Sequence, residues 1–361
     1  MLLEELKKIG IKQHVIFVLV ILLIIQAGYT GSRQMYSRTV TKTAEKYADV
    51  YDEYLGKLQG KWDQKKDQWL NQCLKEKDSA QEEYASLVDQ LLAGEISDEQ
   101  LYTYYKNTPF SQNKYSDVLN ELDEKRDYVK KDPSHRYMLK ENGWTYFYED
   151  HLIYYIYLLF LLVIFIPLFI REKESRMDIL QGLSVKGQKK IFVYKILAAW
   201  LYAVAGLFLL MAEKYLIYKV RYGLEHAHYP IQSLTIFESC PWNISVGNAL
   251  MVEILLLLCA SFLLGAVIVL ASMYIPRTLD VCLLILVLVF VPVFIFSKDI
   301  LFHYPGITSY LFPDQLVYGW WDEDLGKHVY KTSRQFLIQG GSAVVAGLLF
   351  LWWAGKREKK I

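Results

Sequence analysis

LIYYIYLLFLLVIFIPLFI, residues Leu152 to Ile170, carries no charged side chain. A helix needs about 20 mostly apolar residues to cross the hydrocarbon of a bilayer, and this run is that long. Outward from it, similar runs occupy Val15–Tyr29, Ile191–Tyr218, Ala249–Tyr274, Val281–Phe296 and Phe336–Ala354. Each satisfies its own backbone polar groups as a helix, which lipid cannot do. The expected fold class is mainly α: a polytopic membrane protein with about six transmembrane helices. The first run, after Lys7, Lys8 and Lys12, also has the charge pattern of a signal peptide. Its small-x-small cleavage pattern is poor, so an uncleaved anchor is expected.

Lys and Arg in the short loops set the orientation. Lys7, Lys8 and Lys12 precede the first run. Arg171, Lys173, Arg176, Lys186, Lys189 and Lys190 follow the second, and Arg277 separates the fourth from the fifth. Lys356, Arg357, Lys359 and Lys360 end the chain. With six spans these all share one side, which predicts cytoplasmic termini in a cytoplasmic (plasma) membrane. The loops near 221–246 and 298–335 are then outside. Tyr29, Tyr154, Tyr155, Tyr157, Tyr215, Tyr218, Trp242, Trp352 and Trp353 lie near span ends, where generic interfacial anchoring is the expectation.

Between the first two runs the composition changes. Residues 31–150 are dense in charge and predict an extracytoplasmic helical domain inserted between spans one and two. Residues 1–30 are then an amphipathic cytoplasmic start plus the first span, and residues 151–361 hold spans two to six. Apolar residues recur at helical spacing from Val40 through Tyr51, Leu58, Trp69 and Leu70 to Leu91, predicting two or three long helices, the first running on from the first span. Gly94 suits a helix end. Ser97-Asp98-Glu99-Gln100 has the capping-box pattern, and a further helix is expected from Lys114 to Lys131, ahead of Pro133. Tyr104-Tyr105 and Tyr146-Phe147-Tyr148 suit either a ligand groove or packing.

Composition and motifs exclude several functions. Lys and Arg total 40 against 39 Asp and Glu, so bulk charge gives no reason to expect nucleic acid. Gly182–Gly187 has the glycine spacing of a phosphate loop, but Gln188 and Lys189 stand where Lys and then Ser or Thr are required. His226 and His228 with Glu225 are too sparse for a metal centre. No catalytic site, metal site or cofactor is expected in this chain. Cys259 and Cys282 sit in apolar runs; Cys73 and Cys240 either pair or remain two thiols. Glu213 and Lys214 near one end of the third run, and Glu253 in the fourth, are close enough to the interface to snorkel. Intramembrane carboxylates also mark gates and substrate paths, so Glu213 and Glu253 are candidates for that role.

The segment after the second run reads REKESRMDILQGLSVKGQKKIFVYKILAAW, Arg171 to Trp200. Ile179, Leu180 and Leu183 share one helical face, Gly182 interrupts it, and Ser184 suits the cap of the next helix. In this order of mixed charge, short leucine helix, glycine, small polar residue and basic cluster, the segment resembles the type-2 permeases of ABC exporters. Glu172, Glu174, Leu180, Gly182, Leu183, Ser184 and Lys195 carry the match, with Arg171 and Arg176 beside them. Leu183 stands where that family usually has Pro. The six-span count, the amphipathic Leu2–Ile11 segment and the insertion after the first span are also similar. The resemblance covers most of the membrane part and leaves the outer domain unplaced.

The resemblance implies a permease subunit of an ATP-driven exporter. It implies pairing with a second copy or a paralogue, and docking of a separately encoded ABC ATPase, which binds the ATP, at coupling loop 171–190. A close variant is the mechanotransmitting permease, for which Arg171, Glu174 and Gly182 would serve. A different class is a membrane sensor or assembly protein binding a partner through its outer domain. The short segment after Ala354 holds no signalling domain, which weighs against the sensor.

Overall fold

The computed structural model describes residues 2–12, 14–32, 42–174, 185–295, 320–322, 327–329 and 333–357. The chain is mainly helical. Among the described residues, four helical stretches are long and apolar enough to cross a membrane: Val15–Ser32, Asn142–Ile170, Ile191–Tyr222 and Val246–Tyr274. Two shorter apolar helical stretches, Thr278–Pro292 and Gly341–Trp353, accompany them. This is a membrane-embedded protein.

Helix α1 (Leu2–Lys7) leads through a π-helical turn, Lys8–Lys12, into α2 (Val15–Ser32). Leu2, Leu6 and Ile9 turn inward at helical spacing while Leu3 stays exposed, so this start is amphipathic in fact. The helical unit that follows holds α3 (Thr43–Lys46), α4 (Ala48–Leu58), α5 (Gln64–Leu92), α6 (Asp98–Asn107) and α7 (Asn113–Lys130). It has its own core, in which Val50, Tyr51, Leu58, Leu70, Val118, Leu119 and Leu122 are buried together.

The apolar series of that unit is cut at Gly60. Its φ of +95° lies in the left-handed region that favours glycine, and its N–H and C=O pair with Met138. The Asp63 carboxylate then accepts from Lys66 N at 2.9 Å and starts α5; this bond holds its pKa below the usual carboxylate value. The capping box is present: Ser97 N donates to Gln100 Oε1 and Gln100 N to Ser97 Oγ. Gly94, at φ +76°, follows the end of α5, and α7 matches the helix expected there. Continuation of the first span into this unit falls at 33–41, outside the described residues.

The larger core gathers α8 (Asn142–Glu149), α9 (Leu152–Phe165), α10 (Pro167–Glu174), α11 (Val185–Tyr222) and α12 (Val246–Tyr274). Charge density assigns residues 142–149 to the charged insertion, yet Trp144, Tyr146, Phe147 and Tyr148 are buried in this second core. They are apolar enough that water gains nothing by keeping them. Helix α9 is central and packs against α2, α11 and α12. Helices α13 (Thr278–Ile295) and α14 (Ser333–Arg357) flank α12, and strands β1 (Trp320–Asp322) and β2 (Lys327–Val329) pair antiparallel.

Without water to drive them together, membrane helices rely on small residues for close approach. Gly206 of α11 meets the Phe160 ring of α9, and Gly265 of α12 meets the Phe165 ring. A Cβ at Gly206 would overlap that ring, and Phe160 is fully buried with nowhere to go. Gly206→Val is therefore expected to cost about 1–3 kcal/mol, read as a lower unfolding midpoint in detergent. An unchanged midpoint would mean that α9 and α11 do not cross so closely.

The expected aromatic belt divides in two. Tyr29, Tyr155, Trp352 and Trp353 are exposed, but Tyr154, Tyr157, Tyr218 and Trp242 are buried inside the bundle. For the buried tyrosines the hydroxyl explains the difference. Tyr157 donates to Ala203 O and Tyr218 to Asp150 Oδ2, so these rings bond protein rather than headgroups.

Candidate functional site

Two polar constellations sit on this frame. The first lies where α8, α9, α11 and α12 meet. Asp150 precedes α9 and its Oδ1 accepts from Leu152 N at 3.1 Å, a cap that orphan N–H groups at a helix start require. Its Oδ2 accepts from Tyr218 OH at 3.0 Å. Lys214 Nζ, 1 % exposed, donates to Asp150 O at 2.8 Å and lies 4.4 Å from the Phe147 ring centroid. Lys214 and Tyr218 are one helical turn apart, which is why both reach the same residue.

Glu253 of α12 is also 1 % exposed. Its Oε1 accepts from Tyr154 OH at 2.8 Å, while Oε2 has no hydrogen-bond partner. A buried polar atom left unpaired costs free energy, and such exceptions call for an explanation. Lys214 and Asp150 are the charged neighbours that act on Glu253. Glu213 makes no bond to this cluster among the described residues and is half-buried, with Oε2 unpartnered. Of the two carboxylates singled out by sequence, then, Glu253 enters a buried cluster and Glu213 does not. Asp150, Tyr154 and Tyr218 were missed as members. A carboxylate immediately before an apolar run was the available signal for Asp150.

The second constellation fastens the helical unit to the segment between α11 and α12. Glu141 is the hub. Its Oε1 accepts from Lys125 Nζ at 2.9 Å, and its Oε2 accepts from both Thr235 N and Thr235 Oγ1 at 3.0 Å. Around it Tyr128 OH donates to Gln232 O at 2.6 Å and Tyr137 N to Ser233 Oγ at 2.9 Å. Arg136 pairs with Glu238 at 3.4 Å. Burial pushes the Tyr128 phenol well above its usual pKa, so it stays a donor at any physiological pH. Trp144 Nε1 donates to Glu225 O at 2.8 Å and Tyr148 OH to Val246 O at 2.6 Å, tying α8 to the same segment.

The coupling-loop residues are only partly placed. Arg171, Glu172 and Glu174 form the last turn of α10, which packs on α12. Arg176, Leu180, Gly182, Leu183 and Ser184 lie outside the described residues. Lys195 is buried in α11 with Nζ 5.5 Å from the Phe169 ring centroid, so it braces the base of that helix.

Cys73 and Cys240 are separate free thiols, both buried. Burial pushes the Cys240 thiol up to about 11, which leaves it unreactive at neutral pH. His226 stacks on Tyr229, ring centroids 4.7 Å apart. Tyr104 and Tyr105 lie against Tyr84. No family model, curated protein or solved structure matches this chain.

Proposed function

We propose that this chain is the permease subunit of an ATP-driven ABC exporter, built from six transmembrane helices with both termini in the cytoplasm. The helical unit 42–140 stands on the outer face. The observation that carries the reading is the arrangement around α11. The amphipathic α1 lies against it, with Tyr202 OH donating to Leu6 O at 3.0 Å. The charged end of α10 leads toward its start, and a basic segment opens it before the apolar stretch. A peripheral motor that pushes on Arg171–Lys190 thereby acts on a helix in contact with α1, α2, α8, α9 and α12. In this reading the partner ATPase binds ATP, and a second permease copy or paralogue completes the path.

One observation favours mechanotransmission as a second reading. The Glu141 hub joins the helical unit to the α11–α12 connection through buried charge-assisted bonds. Helix motion would thus move the outer unit as one piece.

Solubilised from its native membrane, the chain is expected to co-purify with an ABC-type ATPase. Glu174→Ala combined with Leu180→Asp and Leu183→Asp should abolish that association without changing the unfolding midpoint. A chain that retains no ATPase, and leaves ATP turnover of a co-expressed candidate unchanged, overturns the exporter reading.

A further inference from the structure

A cleft of about 440 Å³ opens between α4 of the helical unit and the end of α11, with Lys140, Lys219, Val220, Arg221 and Glu225 on its walls. Its charges are unevenly spent. Asp52 is held by Lys140 at 2.7 Å. Glu225, 79 % exposed, turns toward solvent beside His226. Among the described residues, neither Lys219 nor Arg221 has a carboxylate within ion-pair distance. Arg221 uses one nitrogen, Nη1, to close the end of α2 on Thr30 O and Gly31 O at 2.9 and 2.8 Å. That fixes its guanidinium at the wall of the cleft, to which Lys219 also contributes.

Below the cleft runs a lipid-like path. Leu201, Leu209, Leu216 and Val220 are all exposed on α11, and Val220 reaches 87 %. Their spacings of eight, seven and four residues place them on one side of the helix. An exposed apolar stripe that ends at two cations with no carboxylate partner among the described residues matches the two halves of an anionic amphiphile. Long basic side chains at a span end hold headgroups in this way.

We propose that this cleft binds the phosphate-bearing headgroup of an anionic membrane lipid, whose acyl chains lie along the exposed stripe of α11. The site rests on α11 crossing the membrane with its Tyr222 end at the surface; it is independent of any coupling to an ATPase. The occupant would sit between the span and the helical unit, and its binding would tighten their junction.

Native mass spectrometry of the full chain in detergent tests this, with dioleoylphosphatidylglycerol, dioleoylphosphatidylcholine or inorganic phosphate as probes. The wild-type chain should retain phosphatidylglycerol in preference to phosphatidylcholine, and millimolar phosphate should not displace it. Lys219→Gln should weaken retention about fivefold, the size expected of one interfacial cation, and Lys219→Arg should keep it. Lys219 is exposed, so both variants should unfold at the wild-type midpoint. Equal retention by Lys219→Gln, no preference between the two lipids, or displacement by phosphate alone overturns the proposal.

Discussion

Glu141→Ala is expected to destabilise the junction by about 3–5 kcal/mol, the usual cost of removing one partner from a buried ion pair. Lys125 keeps only 6 % of its side chain exposed and Glu141 11 %. Truncation leaves the ammonium buried without a carboxylate and strips Thr235 of the acceptor for its N–H and its hydroxyl. The surface pair Lys57–Glu53 is a contrast, with side chains 52 % and 64 % exposed. Glu53→Ala there should cost no more than about 1 kcal/mol. The damage from Glu141→Ala should stay local, because the core around Leu58, Leu70 and Leu119 does not include Glu141. Hydrogen exchange would show amides at 231–238 losing protection while α5 and α7 keep theirs. Glu141→Gln, which retains an acceptor but not the charge, should fall between. If Glu141→Ala exchanges like wild type throughout, the hub does not hold the unit to the bundle.

Lys214→Met should cost about 1–3 kcal/mol, the usual penalty for leaving a buried acceptor without its donor. The ammonium is the cation that faces Asp150 and Glu253, and all three are buried. Without it the buried Asp150 carbonyl loses its donor, and Glu253 loses the cation that acts on it. The double variant Lys214→Met/Glu253→Gln also removes the carboxyl on which Lys214 acts, so it should cost less than the sum of the two single changes. Non-additivity of that kind is what coupled neighbours produce. The unfolding midpoints of the wild type, both single variants and the double variant in one detergent form the cycle. A Lys214→Met chain that melts like wild type, or a double variant that merely adds the two single effects, would sink the electrostatic account. The cluster joins four elements, so this cycle also measures how firmly α8, α9, α11 and α12 are held together.

The long apolar helices were legible in the sequence because hydrophobic length is a local property. A stretch such as Val246–Tyr274 declares itself whatever surrounds it. So were the caps at Ser97 and Gly94, which depend on neighbours three or four residues away. The boundary of the charged helical unit was less so. Charge density placed it at Asp150, while packing puts α8 with the membrane core, because Trp144 and Tyr148 find partners on Glu225 and Val246, far along the chain. The inward tyrosines went unread for the same reason. An amphipathic ring at a span end suits a headgroup or a buried acceptor equally well until the acceptor is known.

Glu253 shows the division most clearly. Its presence in an apolar run marked it from the sequence alone, since charge within a span is costly and seldom idle. That Tyr154 would hold one oxygen, and that Lys214 and Asp150 would stand nearby, depended on the packing of α9, α11 and α12. By itself, the sequence determined a membrane-embedded helical chain with a charged insertion, because burial of apolar length and helix capping are set within a few turns. Only the tertiary structure decided that the insertion is fastened through Glu141, and which polar groups meet inside the bundle. Those contacts join residues roughly 60 to 110 positions apart, as long-range packing allows, and no local pattern encodes which helix faces which.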